Sequence, residues 1–230
     1  MTLTCLIPAY NEQSRIAAVL RAVLDHPLID EVLVIDDGST DATSAVVRTF
    51  PNARLITLTP NGGKTAALAR GLAEATGDLI LLVDADLLGL SPHHLTALIT
   101  PVLSGHADIS ISLRANAPFL WRWLGLDYIS GERVLRKSLL TPHLAHLQTL
   151  PKFGFEVFLN SLLIQQNARI AVIRWPGVIS PLKSRKYGFW EGAKADVRML
   201  ADLSRAVGIW GLVKQVVQMR ALRVKYKKTG

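Results

Sequence analysis

Asp78-Leu79-Ile80-Leu81-Leu82-Val83-Asp84-Ala85-Asp86 is the stretch on which the fold turns. The five apolar residues Leu79 to Val83 have the length and character of a strand buried on both faces. The run ends in two carboxylates with only Ala85 between them. Where a buried strand meets solvent, such a pair suits a hard divalent cation held through oxygen. Turn-forming acids also cap strand ends, so the surrounding sequence has to decide between the two readings.

On its N-terminal side lies Asn61-Gly62-Gly63-Lys64, a turn leading into a predicted helix from Thr65 to Ala75, with Gly77 read as its C′ residue. On its C-terminal side, Ser91 is a candidate N-cap and Pro92 a first-turn residue for a helix ending at Leu103. A strand from Ala107 to Leu113 follows. Towards the N-terminus, Thr2–Ile7 reads as a strand and Pro8-Ala9-Tyr10-Asn11-Glu12 as a loop. Ile16, Val19, Leu20 and Val23 then keep helical spacing within 14–24. Glu31–Ile35 is a second strand ending in Asp36-Asp37-Gly38-Ser39-Thr40-Asp41, where Ser39 or Thr40 is available to cap a helix over 42–50. Ala53–Leu58 is a third strand.

Strands alternating with helices in this way predict right-handed βαβ crossovers and a parallel sheet. Pro8–Glu12, Asp36–Asp41 and Asp84–Asp86 then all fall just past the C-terminal ends of strands, the edge where open α/β sheets bind ligands. Beyond Arg114 the alternation breaks. Phe119–Leu124 is densely aromatic, and Tyr128–Leu140 reads as a helix carrying Arg133, Arg136 and Lys137. A helix runs from Lys152 to about Asn167, and Ile170–Trp175 is a strand. A Pro/Gly/Lys/Arg-rich loop spans 176–188, and residues 191–230 read as mostly helical.

Composition narrows the class. Half of the 230 residues are hydrophobic, enough for a sizeable core. The single cysteine, Cys5, excludes an internal disulfide framework and suits a reducing, cytoplasmic compartment. No signal-peptide pattern opens the chain, and no apolar run reaches the roughly 18–20 residues of a bilayer span. Residues 182–230 carry twelve Lys/Arg against three Asp/Glu, a net of +9, whereas residues 1–181 carry a net of −1. Trp210, Leu212, Val213, Val216, Val217 and Met219 lie among Lys214, Arg220, Arg223, Lys225, Lys227 and Lys228. A basic, apolar helix with a tryptophan reads as an anchor on an anionic membrane surface; the competing reading is a helix packed on the domain with a solvated basic tail. No nucleic-acid module is visible.

With these residues in view, the chain resembles family 2 glycosyltransferases of the GT-A fold. Pro8–Glu12, Val34–Asp41, Asn61–Lys64 with Gly71, and Val83–Asp86 carry the likeness; Ser130-Gly131-Glu132-Arg133 and Phe153-Gly154-Phe155-Glu156 match more loosely. The resemblance implies a three-layer α/β/α sandwich with a mostly parallel, Rossmann-like sheet plus C-terminal helices. It also implies a catalytic domain over 1–188, with a donor half (1–115) and an acceptor half (116–188), and a basic helical extension over 189–230.

It further implies transfer of a sugar from a UDP- or GDP-sugar, with Mg²⁺ or Mn²⁺ held by Asp84 and Asp86 and an inverting outcome. Pro8, Ala9, Tyr10, Glu12, Asp36, Asp37, Lys64, Asp84, Ala85 and Asp86 would bind the donor; of the two acids after the second strand, Asp37 is favoured because side chains alternate there. Glu156, among Phe153, Phe155 and Phe158, is the candidate general base. For an acceptor that is already a phosphate, such as a polyprenyl phosphate, Arg133, Arg136 or Lys137 would serve as clamps. There are two departures. Leu88 stands where related polyprenyl-phosphate enzymes have glutamine, and Ser180 where many relatives have a metal-reaching histidine. They keep open a non-catalytic nucleotide-sugar or lipid-carrier binding protein. A sugar-phosphate nucleotidyltransferase is disfavoured, since no Gly-rich, Arg-containing loop follows the first strand, and a dehydrogenase because Gly-x-Gly-x-x-Gly is missing there.

Overall fold

The computed structural model describes residues 1–150, 154–180 and 208–226. Phe153, the loop beyond Ser180, the 188/189 domain boundary, the helix expected over 191–207, and Lys227 and Lys228 lie outside the described residues.

In chain order the elements are β1 (Leu3–Ala9), α1 (Ile16–Leu24), β2 (Glu31–Asp36), α2 (Thr43–Arg48), β3 (Arg54–Thr57), α3 (Lys64–Glu74), β4 (Leu79–Leu82) and α4 (Pro92–Leu103). Then come β5 (Ile109–Arg114), α5 (Phe119–Leu124), β6 (Arg133–Arg136), α6 (Leu144–Leu147), α7 (Gly154–Gln165), β7 (Ile170–Trp175), α8 (Ile209–Ala221) and β8 (Arg223–Val224). The strands form one eight-stranded sheet in the order β3-β2-β1-β4-β6-β5-β7-β8. All pairs are parallel except those of β6, which runs antiparallel between β4 and β5.

Alternation along the central strands builds two cores. Leu6, Leu33, Ile35, Ile80 and Leu82 face one side, where α3, α7 and α8 add Leu68, Leu72, Leu159, Leu163, Val216 and Met219. Cys5, Ile7, Val32, Val34, Leu79 and Leu81 face the other, covered by Ile16, Val19 and Leu20 of α1 and Leu95, Leu98 and Ile99 of α4. A sheet covered on both faces needs strands apolar throughout, and β4 is buried at every residue. Burial also pushes the Cys5 thiol well above its usual range, leaving a core residue rather than a nucleophile.

Four expectations are corrected. The helix read over Tyr128–Leu140 is a loop and strand β6: Val134 and Leu135 are buried on opposite faces of the sheet, a period of two that the charged neighbours Arg133, Arg136 and Lys137 obscure. Gly77 is not the C′ residue of α3, whose cap is Ala75. A Cβ there would lie 2.6 Å from the Thr4 backbone nitrogen, so close chain approach requires the glycine. Neither Ser39 nor Thr40 caps α2, whose N-cap is Ala42. Finally, the helix expected to run to the C-terminus stops at Ala221, and β8 adds an edge strand beside β7.

Candidate functional site

A cavity of about 230 Å³ opens at the C-terminal edge of β1, β2 and β4. Pro8, Ala9, Tyr10 and Glu12 line it from the β1 loop, Asp37 from the β2 loop, Lys64 from the start of α3, and Asp84, Ala85 and Asp86 from the end of β4. Of the ten donor residues expected from the sequence, only Asp36 lies outside this lining. Its carboxylate accepts from the Ser39 backbone N–H at 2.9 Å and from the Ser44 hydroxyl, folding the loop back on itself.

Each motif is held by another. Asp37 Oδ1 and Oδ2 accept from the backbone N–H groups of Gly62 (2.8 Å) and Gly63 (2.7 Å), so the β2 loop fixes the turn that starts α3 and places Lys64. Asn11 takes a positive φ of 56°, which asparagine tolerates better than most residues. Its N–H donates to Ser39 Oγ at 2.9 Å and its Oδ1 accepts from the Thr40 N–H at 2.9 Å, tying the β1 and β2 loops together.

Lys64 Nζ lies 2.7 Å from Asp84 Oδ1 and 3.5 Å from Glu156 Oε1. Burial would raise the Asp84 carboxyl, but the Lys64 ammonium and Arg114 outweigh it and hold the group below the usual carboxylate range. The same two anions hold Lys64 well above its ordinary value against the effect of burial. Asp86 is the opposite case: burial first, then the charge of Asp84, push its carboxyl up to about 6. Its Oδ2 accepts from Ser180 Oγ at 2.8 Å, while its buried Oδ1 has no hydrogen-bond partner among the described residues. Ser180 is delivered by a backbone bridge in which Leu88 and Ile179 exchange N–H···O bonds of 2.9 and 3.1 Å. Leu88 therefore acts through its backbone.

Gly131 completes the cradle. A Cβ there would sit 2.5 Å from Asp84 Oδ2, so only glycine lets the β6 loop close over that carboxylate. Gly131→Ala is expected to displace Asp84 and lower turnover about a hundredfold, with a Michaelis constant for donor that rises in parallel. Unchanged kinetics would show that Asp84 does not need this packing.

Glu156, near the start of α7, is buried but not surrounded by apolar groups alone, because the Lys64 ammonium shares its space. The three basic residues expected to clamp an acceptor are not brought to the cavity. Arg133 is fully buried, donating to Ser130 O (2.8 Å), Tyr128 O (2.9 Å) and Asn160 Oδ1 (2.7 Å). Arg136 pairs across from Leu79, at the opposite end of β4 from Asp84, and Lys137 donates to Ala75 O at that same end.

The residues that sequence reasoning missed stand at the end of β5. Arg114 lies 3.4 Å from Glu132 Oε1 and 3.6 Å from Asp127 Oδ2, both carboxylates fully buried, and its field reaches Asp84 and Asp86. Burial pushes the Asp127 carboxyl up to about 6 despite Arg114. With Arg122 of α5 and Arg174 of β7, Arg114 lines a second cavity of about 410 Å³. Its position just past a strand end was the available signal.

A mostly parallel sheet, an acid after β2, a lysine opening α3 and an Asp-Ala-Asp ending β4 together define the GT-A class of nucleotide-sugar proteins. Residues 4–157 match the model of glycosyl transferase family 2, and the chain belongs to that family.

Among curated relatives, glucosyl-3-phosphoglycerate synthase of Mycolicibacterium smegmatis is 36% identical over 111 residues, covering 45% of this chain and 37% of that protein. Dolichyl-phosphate beta-glucosyltransferase of Dictyostelium discoideum is 35% identical over 99 residues, covering 36% and 30%. The matched segment thus spans about a third of either relative. Among solved structures, glucosyl-3-phosphoglycerate synthase of Mycobacterium tuberculosis with Mn²⁺, UDP and phosphoglyceric acid superposes with a TM-score of 0.68 at 25% identity, covering 94% of this chain and 78% of that one. The same enzyme with Mn²⁺ and UDP-glucose gives 0.67 at 26%, covering 90% and 79%.

Proposed function

We propose that this protein transfers a hexosyl group from a UDP-sugar to a phosphorylated acceptor. The observation that carries this reading is the Asp84–Lys64–Asp86 constellation lining the cavity, with Asp86 Oδ1 buried and unpartnered among the described residues. An orphaned carboxylate oxygen beside a second carboxylate fits a hard divalent cation. Among the described residues no group of three or more His, Cys, Asp or Glu could hold a metal; Asp84 and Asp86 are the residues that would hold it, with further ligands from a bound donor. Bound there, Mg²⁺ or Mn²⁺ would act as a Lewis acid towards the diphosphate.

The chain's own residues do the rest. Lys64 stabilises negative charge that builds on the leaving diphosphate. Tyr10, about half exposed at the cavity mouth, offers a ring face to the base, and Asp37 fixes the turn beneath the phosphates. Arg114, Arg122 and Arg174 receive the acceptor's anionic group. Both curated relatives have names that carry a phosphate-bearing acceptor, which supports the same class here. An ionised phosphate oxygen needs no strong base to attack, and Glu156 then serves to position Lys64. For a hydroxyl nucleophile, Glu156 takes the proton.

The test is calorimetry with UDP- and GDP-sugars, with and without Mn²⁺, followed by transfer assays on phosphorylated and neutral acceptors. A UDP-sugar is expected to bind with Mn²⁺, and Lys64→Met is expected to weaken it about ten- to a hundredfold. Donor binding without turnover on any acceptor would favour the non-catalytic reading that Leu88 and Ser180 kept open. No donor binding at all would end both readings.

A further inference from the structure

We infer that α5 and α8 together form a docking surface for an anionic lipid bilayer. Among the described residues no helix is long and apolar enough to cross a membrane, so the contact is peripheral. Helix α8 carries two apolar stripes. Leu212, Val216 and Met219 point into the core. Trp210, Val213 and Val217 stay exposed on the outer side, Trp210 to 84%. The sequence alone shows one untidy stripe because the two are superimposed.

Helix α5 repeats the arrangement. Trp121 is buried, stacked on Tyr128 with ring centroids 5.8 Å apart, while Phe119 and Trp123 are 75% and 69% exposed. Residues flanking each helix tie it to the other: the Tyr128 hydroxyl, in the loop after α5, bonds to Gln215 of α8, and Arg223 Nη1 of β8, just past α8, donates to Leu124 O of α5 at 3.2 Å.

Within residues 208–226 the charge has one sign. Residues 208–226 contain Lys214, Arg220, Arg223 and Lys225 and no acid, and Arg122 of α5 lines one cavity with Arg174. Arg223 feels this crowding: burial, then the charges of Arg220 and Arg174, lower its pKa. A second copy seated on this face would set like charges against like. Exposed tryptophans with a basic surround match the headgroup region of an anionic bilayer, where the rings bury their apolar bodies and the cations meet lipid phosphates.

The experiment is co-sedimentation of the full chain with vesicles of phosphatidylcholine alone and of phosphatidylcholine with phosphatidylglycerol, without donor, at low and high salt. Binding is expected to the anionic vesicles only and to weaken with salt, with tryptophan emission shifted to the blue. Trp123→Ala with Trp210→Ala should lower the partition coefficient at least about tenfold while donor affinity stays at the wild-type value. Val213→Ser with Val217→Ser supplies an independent probe of the same face.

Three outcomes would overturn the inference. One is no binding to anionic vesicles at low salt. Another is loss of binding on Lys227→Gln with Lys228→Gln while both apolar variants bind like wild type. The last is a concentration-dependent dimer, dissolved by the tryptophan substitutions, with no vesicle binding.

Discussion

Asp86→Asn is expected to lower sugar transfer about a hundredfold or more and, in the same protein, to stabilise the metal-free fold. Oδ1, unpartnered among the described residues, explains both effects on the proposed reading, in which the carboxylate serves a cation and costs free energy without one. The sign follows from linkage. Burial and Asp84 raise the Asp86 carboxyl to about 6 in the folded chain, against roughly 3.9 when unfolded. Between those values the folded state holds the proton that the unfolded state has lost, so stability falls as pH rises through the window and stays low above it.

At neutral pH the cost in the wild type is about 2 kcal/mol after allowing for partial exposure, and asparagine removes it. Urea unfolding in chelator from pH 4 to pH 8 checks this. The gap between variant and wild type should open between pH 4 and 6 and stay flat above. A gap that does not change with pH would mean that Asp86 ionises freely. Apparent Mn²⁺ affinity should fall below pH 6 for the same reason, since a ligating carboxylate must first lose its proton.

Arg133→Ala should be the most destabilising single change, by about 3–5 kcal/mol. The guanidinium is fully buried and donates to two backbone carbonyls and to Asn160. Its removal leaves those acceptors unsatisfied and opens a cavity beneath the loop that carries Gly131. Arg133→Met separates the two causes, because it keeps much of the stem's packing and loses only the hydrogen bonds. Denaturant unfolding reads both variants. A phosphate clamp would behave in the opposite way, with stability retained and acceptor affinity lost, so the same pair of measurements tests the role first read from the sequence.

The N-terminal half of the chain was legible because its signals are local. An apolar run followed by acids, a glycine turn followed by a lysine, and regular alternation each place a residue at the same sheet edge without knowledge of distant contacts. The stretch beyond Arg114 was not legible, for a physical reason. Strand β6 is short, is flanked by Arg133 and Arg136, and owes its conformation to pairing with β4 and β5, which lie 22 or more positions earlier. Its charged residues suggested a solvated helix face, yet one of them sits in the core. Arg114 was passed over because it has no partner nearby in sequence; Asp127 and Glu132 reach it only once β6 has folded back. Gly131 showed only as part of a loose motif, and its role stayed hidden because what it makes room for is a side chain 47 positions away.

Lys64, held between Asp84 and Glu156, has a consequence for the order in which substrates arrive. A tethered ammonium is a permanent competitor for the place that a free cation would take, and it never diffuses away. A solitary Mn²⁺ would therefore meet an Asp84 carboxylate already paired, whereas a metal–nucleotide complex would offer the lysine a new anion in exchange for the old one. Binding should be ordered, with metal and donor entering together. The free enzyme would then hold no activated water beside its carboxylates. Such a site is protected from idle donor hydrolysis until the exchange of partners has taken place.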